Sequence, residues 1–571
     1  MTAVAARTTV GRPSSAALLL GQLRYAVVDL WRARVVMVFT VAIPLVWLLV
    51  IGFIAGNDAV DESTGVRVMQ FVTPMAAAMG ILYAAYPTVA ISLAQARESG
   101  VLKRVRGTPL PAWIHVAGRI GGAAVFALGS VAVMLGVGVL LYDVQILGRT
   151  FLATVVTVVV AIAAFAALGT AFAALARTAS VAQAGSIATA VVLTFVSGLF
   201  SFGGSTPQWM VTLGDVLPLK PVADSLADQF NPFHTGSGWD LPRLGVVAAW
   251  GVVALLVSVR AFRWDPQARR RERDEASAGR TRSGAAGAEG RARADRGQAG
   301  AGTPARSAPA EAARTVVTGR RRPVALLLDQ TVAAARSAWR DGGSLFFALI
   351  MPVGLYAFML STQGSAFEVE GMRFSLFFAA GMATWGSSVV AFMNLPEAVA
   401  TARDKGVLKR LRGTPVTPWQ YLAARMVVAV LLALVITAAI LVVGVLAYDV
   451  ELTAGALGSA LEVVVLGTLS MAACGFALAA FAPSARAVGA VGLVVLLPLA
   501  FFSEVFVVGG PAWMGTVGSL FPLKHFQNAL AAALGLPGAP LEGVHLAVLA
   551  LWAVGAGLVA LRFFRWDTHA G

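Results

Sequence analysis

Long stretches without a single charged residue are the feature of this chain that most limits how it can fold. Residues 71–96 run for 26 positions without Asp, Glu, Lys or Arg, and an α-helix needs only about 20 residues to cross the hydrocarbon core of a membrane. Of all residues, 58% are hydrophobic and 13% are charged, whereas globular proteins are about 25% charged. The sequence therefore predicts an all-α polytopic membrane protein.

The uncharged runs form two matching series, which predict twelve transmembrane helices as two parallel six-helix repeats. The expected spans lie near 35–55, 70–96, 114–142, 151–176, 181–203 and 243–262, and then near 344–362, 374–400, 420–447, 456–482, 487–508 and 543–562. The sequence Tyr-Asp-Val recurs at 142–144 and 448–450, and Arg119 matches Arg425 at the same offset of 306. Six spans is an even number, so both halves should enter the membrane from one side.

The predicted domains are 1–265, a first repeat with an N-terminal amphipathic helix; 266–323, a linker; and 324–571, the second repeat. The linker carries 14 arginines against 6 acidic residues and no aromatic residue. Such a segment buries too little apolar surface to offset the entropy of ordering, so we expect disorder. Its arginines are better explained by solvation or by anionic membrane lipid than by nucleic acid.

The charges between the spans predict topology. Short cytoplasmic loops accumulate Arg and Lys, and loop 97–107 is basic whereas loop 56–68 is mainly acidic. Both termini are then cytoplasmic. An excess of Arg over Lys, with abundant Ala and Gly, is typical of a GC-rich bacterial gene. We therefore expect a multi-pass protein of the bacterial cytoplasmic membrane.

One basic segment occurs twice. It reads RESGVLKRVRGTPLPAW at 97–113 and RDKGVLKRLRGTPVTPW at 403–419, with 11 of 17 positions identical. Gly100 can end the preceding helix and Pro109 can end the next one, leaving a short amphipathic helix suited to a groove in a soluble partner. The alternative is an ordinary cytoplasmic loop, but topology requires only cations and not the repeated Gly-Thr-Pro and Trp.

This segment, placed after a second span, resembles the coupling loop in permease subunits of ABC transporters of the type-2, drug- and polysaccharide-exporting class. Amphipathic segments before each first span, a proline early in that span (Pro44, Pro352) and Pro-Leu-Lys before each last span are similar to the same class. The resemblance implies docking of ABC ATPase subunits, two copies, on the two loops. The docking residues it implies are Arg97, Glu98, Val101, Leu102, Lys103, Arg104, Arg106, Arg403, Asp404, Val407, Leu408, Lys409, Arg410 and Arg412.

Two departures accompany the resemblance. Glu98 becomes Asp404 and Ser99 becomes Lys405, so the two docking surfaces need not be equivalent. Members of this class are usually six-span chains that dimerise, whereas this chain looks like two copies fused.

The sequence argues against an ATPase site of its own. A phosphate-binding P-loop needs Gly-Lys followed by Ser or Thr, and the five lysines are followed by Arg104, Pro221, Gly406, Arg410 and His525. We therefore expect a permease that is not an enzyme and has no cofactor, with ATP and magnesium bound by the partner subunit. A single Cys474 and five histidines without ligand spacing also predict no metal site.

Charged residues within the spans are costly and are usually paired or functional. Arg119 and Arg425 are expected either to snorkel towards the headgroups or to pair with the acid of the repeated segment. Glu397 and Glu504 fall near the two interfaces. Glu462 is the candidate for facing a translocation path and contacting a cationic amphipathic substrate.

Two alternatives remain at this point. A proton-coupled secondary exporter would also have six plus six spans, but its Gly-x-x-x-Asp-Arg-x-Gly-Arg loop is replaced here by Gly-Val-Leu-Lys-Arg. A non-transporting membrane scaffold is the other. The scarcity of charge in the spans suits export of a hydrophobic or amphipathic substrate, such as a drug, an antibiotic or a lipid-like molecule.

Overall fold

The computed structural model describes residues 14–32, 34–54, 57, 59–61, 65–107, 110–199, 207–261, 323–340, 346–364, 368–369, 371–506, 512–535 and 543–566. Apart from Pro323, the predicted linker lies outside these residues. The predicted domain boundaries at 265 and 323 therefore stay predictions.

The first half is helical apart from one short antiparallel hairpin in its described part. Its elements are α1 (Ser15–Arg32), α2 (Arg34–Ile54), β1 (Ala59–Asp61), β2 (Val66–Arg67), α3 (Met69–Glu98), α4 (Val101–Arg106), α5 (Ala112–Tyr142), α6 (Phe151–Leu175), α7 (Ala179–Val196), α8 (Gln208–Val216), α9 (Leu219–Phe230) and α10 (Leu241–Ala261).

The second half repeats this order with two π-helical insertions. Its described elements are α11 (Pro323–Arg340), π1 (Phe346–Ile350), α12 (Met351–Gln363), β3 (Glu368–Val369), β4 (Met372–Arg373), α13 (Phe374–Ser388), π2 (Val389–Asn394), α14 (Leu395–Asp404), α15 (Val407–Leu411), α16 (Pro418–Tyr448), α17 (Ala454–Phe481), α18 (Ala485–Phe502), α19 (Ala512–Gly518), α20 (Pro522–Gly535) and α21 (Gly543–Arg562).

The all-α membrane character predicted from the sequence is confirmed. Nine helices in the described residues are long and apolar enough to cross a membrane. Shorter apolar helices lie at 41–52, 348–362 and 487–502, the three remaining predicted positions. The full count of twelve spans stays a prediction.

Both fifth spans end earlier than predicted. The spans expected at 181–203 and 487–508 end as helices at Val196 and Phe502. Gly198 and Glu504, two residues beyond each helix, adopt left-handed backbone angles of φ +76° and +58°. A left-handed residue cannot continue a right-handed helix. Gly198 leaves no break in the apolar pattern, and the single charge of Glu504 is also compatible with an interfacial residue of a longer span.

The second span forms the buried centre of each half. Most residues of α3 and of the continuous helix α13–π2–α14 are buried. The fourth span reaches this centre through a glycine in both halves. A Cβ on Gly169 would lie 2.5 Å from the Tyr86 carbonyl oxygen, and one on Gly475 would lie 2.6 Å from that of Phe392. Small residues at helix crossings are typical of membrane proteins because backbones can approach closely.

Prolines affect the two central helices differently. Pro87 cannot donate a backbone hydrogen bond to the Tyr83 carbonyl, but the Thr88 hydroxyl donates to that oxygen at 3.4 Å, and α3 stays α-helical. Pro396 leaves the carbonyl of Phe392 without its usual donor. There the chain widens into π2, in which the Leu395 amide donates to the Val390 carbonyl.

The amphipathic helices predicted before each first span are present as α1 and α11, and they pack on the third spans α5 and α16. The α1 contact is close. A Cβ on Gly118 would lie 2.6 Å from Cβ of Gln22, and one on Gly122 would lie 2.8 Å from Cβ of Ala26. The corresponding residues of α16 are Ala424 and Val428, so this glycine face exists only in the first half.

Short helices precede each last span. In α8, Trp209 is exposed and Met210 is buried.

The Lys220 ammonium donates to Asp224 at 2.9 Å and to Asp215. Burial alone would lower the pKa of Lys220, but these two carboxylates outweigh it and raise the pKa above its ordinary value.

The two halves touch through their first and fifth spans. Helix α2 packs on α18, and α7 packs near π1. The rings of Phe195 and Phe358 meet edge to face with centroids 5.2 Å apart. Each half also has its own large apolar core, so the contact joins two separately packed bundles.

Candidate functional site

Each copy of the repeated segment folds into a short helix that comes after a sharp break at the end of the second span. Gly100 and Gly406 adopt φ +73° and +67°, angles that glycine accepts most readily. Helices α4 and α15 begin immediately after these glycines. Their Leu102 and Leu408 are fully buried, so a buried leucine anchors each short helix to its own half.

The arginine that opens each segment binds the C-terminal end of the fourth span. Arg97 donates from Nη1 to the Ala173 carbonyl at 2.9 Å and from Nη2 to the Ala176 carbonyl. Arg403 makes the same pair of bonds, to Ala479 at 2.9 Å and to Ala482 at 2.7 Å. Both arginines are only 6% exposed. A cation at a helix C-terminus satisfies carbonyls that the helix leaves unpaired and complements its dipole.

The acidic residue that follows each of these arginines binds the N-terminal end of the fifth span. A Glu98 carboxylate oxygen accepts the Ala179 amide at 2.7 Å, and an Asp404 oxygen accepts the Ala485 amide at 2.8 Å. An anion at a helix N-terminus is favourable for the reverse reason. The Arg-acid dipeptide therefore holds both ends of the turn between the fourth and fifth spans; we call this arrangement the elbow clamp.

The elbow clamp is equivalent in the two halves despite the change from Glu98 to Asp404. In both copies the partners of the three hydrogen bonds are separated by 76, 79 and 81 positions along the sequence. Asp404 also lies 3.7 Å from Arg403 Nε. The shorter Asp404 thus makes the same helix contact as Glu98. The sequence suggested that the two loops could differ here, but at this position they are equivalent.

The clamp corrects one part of the predicted site. We expected Arg97 and Arg403 on the docking surface, but their guanidinium groups are buried against backbone carbonyls of the same chain. A backbone acceptor has no side-chain signature, which is why sequence reasoning missed it. The alanines Ala173, Ala176 and Ala179 recur at 479, 482 and 485, and that repeat is the signal that could have indicated the contact.

The exposed part of the site consists of cationic side chains on the short helices. Arg104 is exposed in α4, and Lys409 and Arg410 are exposed in α15, as is Arg412 after it. Val407 is 37% exposed and Val101 is half-buried. The side chains of Lys103 and Arg106 lie outside the described residues. Each described loop thus offers a basic face supported by a buried leucine.

The arginines of the third spans are buried within the protein. Arg119 and Arg425 are each 9% exposed. Arg119 Nη1 lies 3.1 Å from Asp29 of α1, rather than pairing with the acid of the repeated segment. The Arg425 guanidinium lies over the ring of Tyr421, 4.8 Å from its centroid.

The three second-half glutamates occupy different surroundings. Glu504 lies 3.3 Å from the Lys524 ammonium. Glu397 packs beside Gly489 of α18, where an added Cβ would lie 2.9 Å from its Oε2. Glu462 is exposed on α17, a helix that packs mainly on α21 and α20 of its own half. Its contact with a substrate stays a prediction.

Among the described residues, no three His, Cys, Asp or Glu side chains come together as metal ligands would. Tandem bundles of membrane-spanning helices, with the same clamped loop in each, define a multi-pass membrane protein built from two equivalent units.

A family model described as ABC-2 type transporter matches residues 22–230 and, a second time, residues 327–534. The chain belongs to this family, and it is the permease component of an ABC transporter with two permease repeats in one chain. The match does not support the alternative of a proton-coupled secondary exporter. Among curated proteins, none matches the chain significantly.

Proposed function

We propose that the chain is the membrane path of an ATP-driven exporter, with ATP and magnesium bound by separate ABC ATPase subunits. The family supports the permease role and an ATPase partner. None of the five lysines is followed by Ser or Thr, which supports supply of the P-loop by another subunit.

The elbow clamp is the observation that carries this proposal. In both halves it joins the end of the second span, just before the short basic helix, to the ends of the fourth and fifth spans through charge-assisted hydrogen bonds. Such bonds contribute about 1.5–3 kcal/mol each. A force applied to the short helix is therefore passed to three spans at once rather than absorbed by a loose loop. This is the property that a site for energy coupling requires.

Two ATPase copies would dock, one on each loop. The contact residues we propose are the exposed cations Arg104, Lys409, Arg410 and Arg412, with Val407 contributing apolar area. Lys103 and Arg106 join this set from the sequence pattern. Leu102 and Leu408 would support the surface from beneath. Glu98 and Asp404 are exposed at their outer edge but are already engaged by the fifth-span amides.

The substrate that we propose is hydrophobic or amphipathic, such as a drug, an antibiotic or a lipid-like molecule, moved outward across the bacterial cytoplasmic membrane. Few ionisable side chains lie in the apolar helices, which supports an uncharged or amphipathic cargo. Both termini would lie on the side of the docking loops.

Charge reversal tests docking directly. A candidate ATPase, chosen from genes adjacent to this one, is used to pull down the full chain carrying Arg104→Glu and Arg410→Glu. We expect binding to fall roughly tenfold or more, because exposed cations at an interface contribute to both affinity and association rate. The matched control is Arg24→Glu with Arg336→Glu, which makes the same charge change at exposed positions of α1 and α11. Equal loss in both double variants would remove the loops from the interface.

Transport in vesicles tests the energy source. The purified chain with its ATPase should move cargo only when ATP and magnesium are supplied on the side of the vesicle membrane where the ATPase is bound. Full transport driven by an ion gradient without any ATPase would overturn the proposal. Glu462→Gln belongs in the same assay: unchanged transport of every cationic substrate would remove Glu462 from the path.

A further inference from the structure

The two halves neutralise the buried arginine of the third span in different ways. In the first half, Asp29 of α1 supplies a carboxylate 3.1 Å from Arg119 Nη1. The carboxylate side chain is 47% exposed, so it occupies a position open to the surroundings at the edge of α1.

The second half has no carboxylate at the corresponding position. Helices α1 and α11 have the same length of 18 residues, and their buried alanines Ala26 and Ala334 correspond. This register places Ser337 where the first half has Asp29. Ser337 is exposed, and its shorter side chain leaves the position of the anion open.

Arg425 is nevertheless as deeply buried as Arg119. Its Nε and Nη1 atoms have no hydrogen-bond partner within the described residues, and the Tyr421 ring covers one face of the guanidinium. A cation–π contact offsets only part of the cost of taking a charge out of water. A buried cation without an anion costs several kcal/mol, so Arg425 needs an anionic partner, and none of the described residues binds its Nε or Nη1.

The surroundings of Arg425 indicate where that anion comes from. Arg425 lies seven residues into α16, about 10 Å along the helix from its start, on the side of the docking loops. Leu328 and Trp339 of α11 are 60% and 79% exposed, as expected for a helix that lies against lipid. The Tyr421 ring packs near Phe564, at 6.1 Å between centroids. Aromatic rings and arginines together are typical of the headgroup region.

We propose that the phosphate group of a membrane phospholipid, in the leaflet on the docking-loop side, binds Arg425 in the place that Asp29 holds in the first half. The acyl chains then lie along the exposed apolar face of α11. The guanidinium contributes charge-assisted hydrogen bonds to the phosphate.

The test measures thermal stabilisation of the full chain, purified and delipidated in detergent, by three added probes. These are a phosphatidylglycerol, inorganic phosphate at equal concentration, and a diacylglycerol without phosphate. We expect only the phospholipid to raise the melting temperature. Stabilisation by inorganic phosphate alone at the same concentration would overturn the lipid as the source.

Three variants localise the effect. Arg425→Gln should weaken the apparent phospholipid affinity roughly tenfold to a hundredfold, the equivalent of about 1.5–3 kcal/mol. Ser337→Asp supplies an internal carboxylate as in the first half, so it should stabilise the lipid-free chain. It should also weaken the phospholipid response to the same extent as Arg425→Gln. Arg119→Gln, the matched control, should keep the full response. An undiminished response in Ser337→Asp would overturn the site even if Arg425→Gln failed to fold.

Discussion

At the scale of single residues, the repeated segment separates into an internal part and an external part. Arg97 and Arg403 act on helix ends within the chain, whereas Arg104 and Arg410 are exposed. The sequence predicted the importance of the segment because it is repeated. The sequence could not show which arginines bind within the chain and which are exposed, because the acceptors of Arg97 and Arg403 are backbone carbonyls far away in sequence.

Loss of a clamp arginine should destabilise the fold, unlike loss of an exposed arginine from the same loop. Arg403→Gln removes two charged hydrogen bonds to the end of α17, which we expect to cost about 2–4 kcal/mol. Arg410→Gln removes the same charge from an exposed position and should cost less than about 0.5 kcal/mol. Thermal unfolding of both purified variants measures the difference. Similar melting temperatures for the two would contradict the internal role of Arg403.

The acid of the clamp should tolerate a change of length but not its removal. Asp404→Glu recreates the first-half residue, and Glu98 reaches the equivalent amide at 2.7 Å, so stability should change little. Asp404→Ala leaves the Ala485 amide without this acceptor and should cost about 1 kcal/mol, as loss of a helix cap does. Thermal unfolding compares the pair. Equal loss in both variants would mean that the clamp requires Asp specifically.

At the scale of helices, the sequence predicted positions well and details of packing poorly. Uncharged runs located the spans because a bilayer excludes charge over a fixed thickness. The early ends of the fifth spans depend on the left-handed residues Gly198 and Glu504, and π2 depends on a missing amide at Pro396. Backbone angles and missing amides are not encoded in the apolar pattern, so neither feature could be predicted from it.

The glycine face of α5 should determine how tightly α1 is held. Gly122→Val introduces the residue found at the equivalent position 428, and its Cβ would come within 2.8 Å of Ala26 Cβ. We expect displacement of α1 at a cost of about 1–3 kcal/mol, measured as faster hydrogen exchange of residues 14–32.

The control for that variant lies on the same helix. A Cβ on Gly129 meets nothing within 4 Å, so Gly129→Val should leave exchange in α1 unchanged. Unchanged exchange in Gly122→Val as well would mean that α1 is held by its Asp29 contact with Arg119 rather than by the glycine face.

At the scale of the whole molecule, the duplication was readable from the sequence alone, and the family match to both halves confirms it. The contact between the halves was not readable. It depends on first and fifth spans that differ between the repeats, such as the edge-to-face pair Phe195 and Phe358, for which a single sequence carries no pairing signal.

The halves should assemble without a covalent connection. Co-expressed fragments 1–265 and 324–571, one of them tagged, should purify together, because each has its own core and they meet through four spans. A break placed at 143–150, between the third and fourth spans of one core, should prevent recovery. Fragments 1–265 and 324–571 that fold but purify separately would show that the covalent linker, rather than the packing, holds the bundles together.

The contrast between Asp29 with Arg119 and Ser337 with Arg425 has an evolutionary consequence. In a transporter assembled from two identical chains, every mutation appears on both sides at once, so a change that suits one side must also be tolerated on the other. Here a single gene encodes both sides, and each can accumulate its own substitutions. One side can then specialise as a fixed support while the other becomes responsive to the composition of the membrane around it.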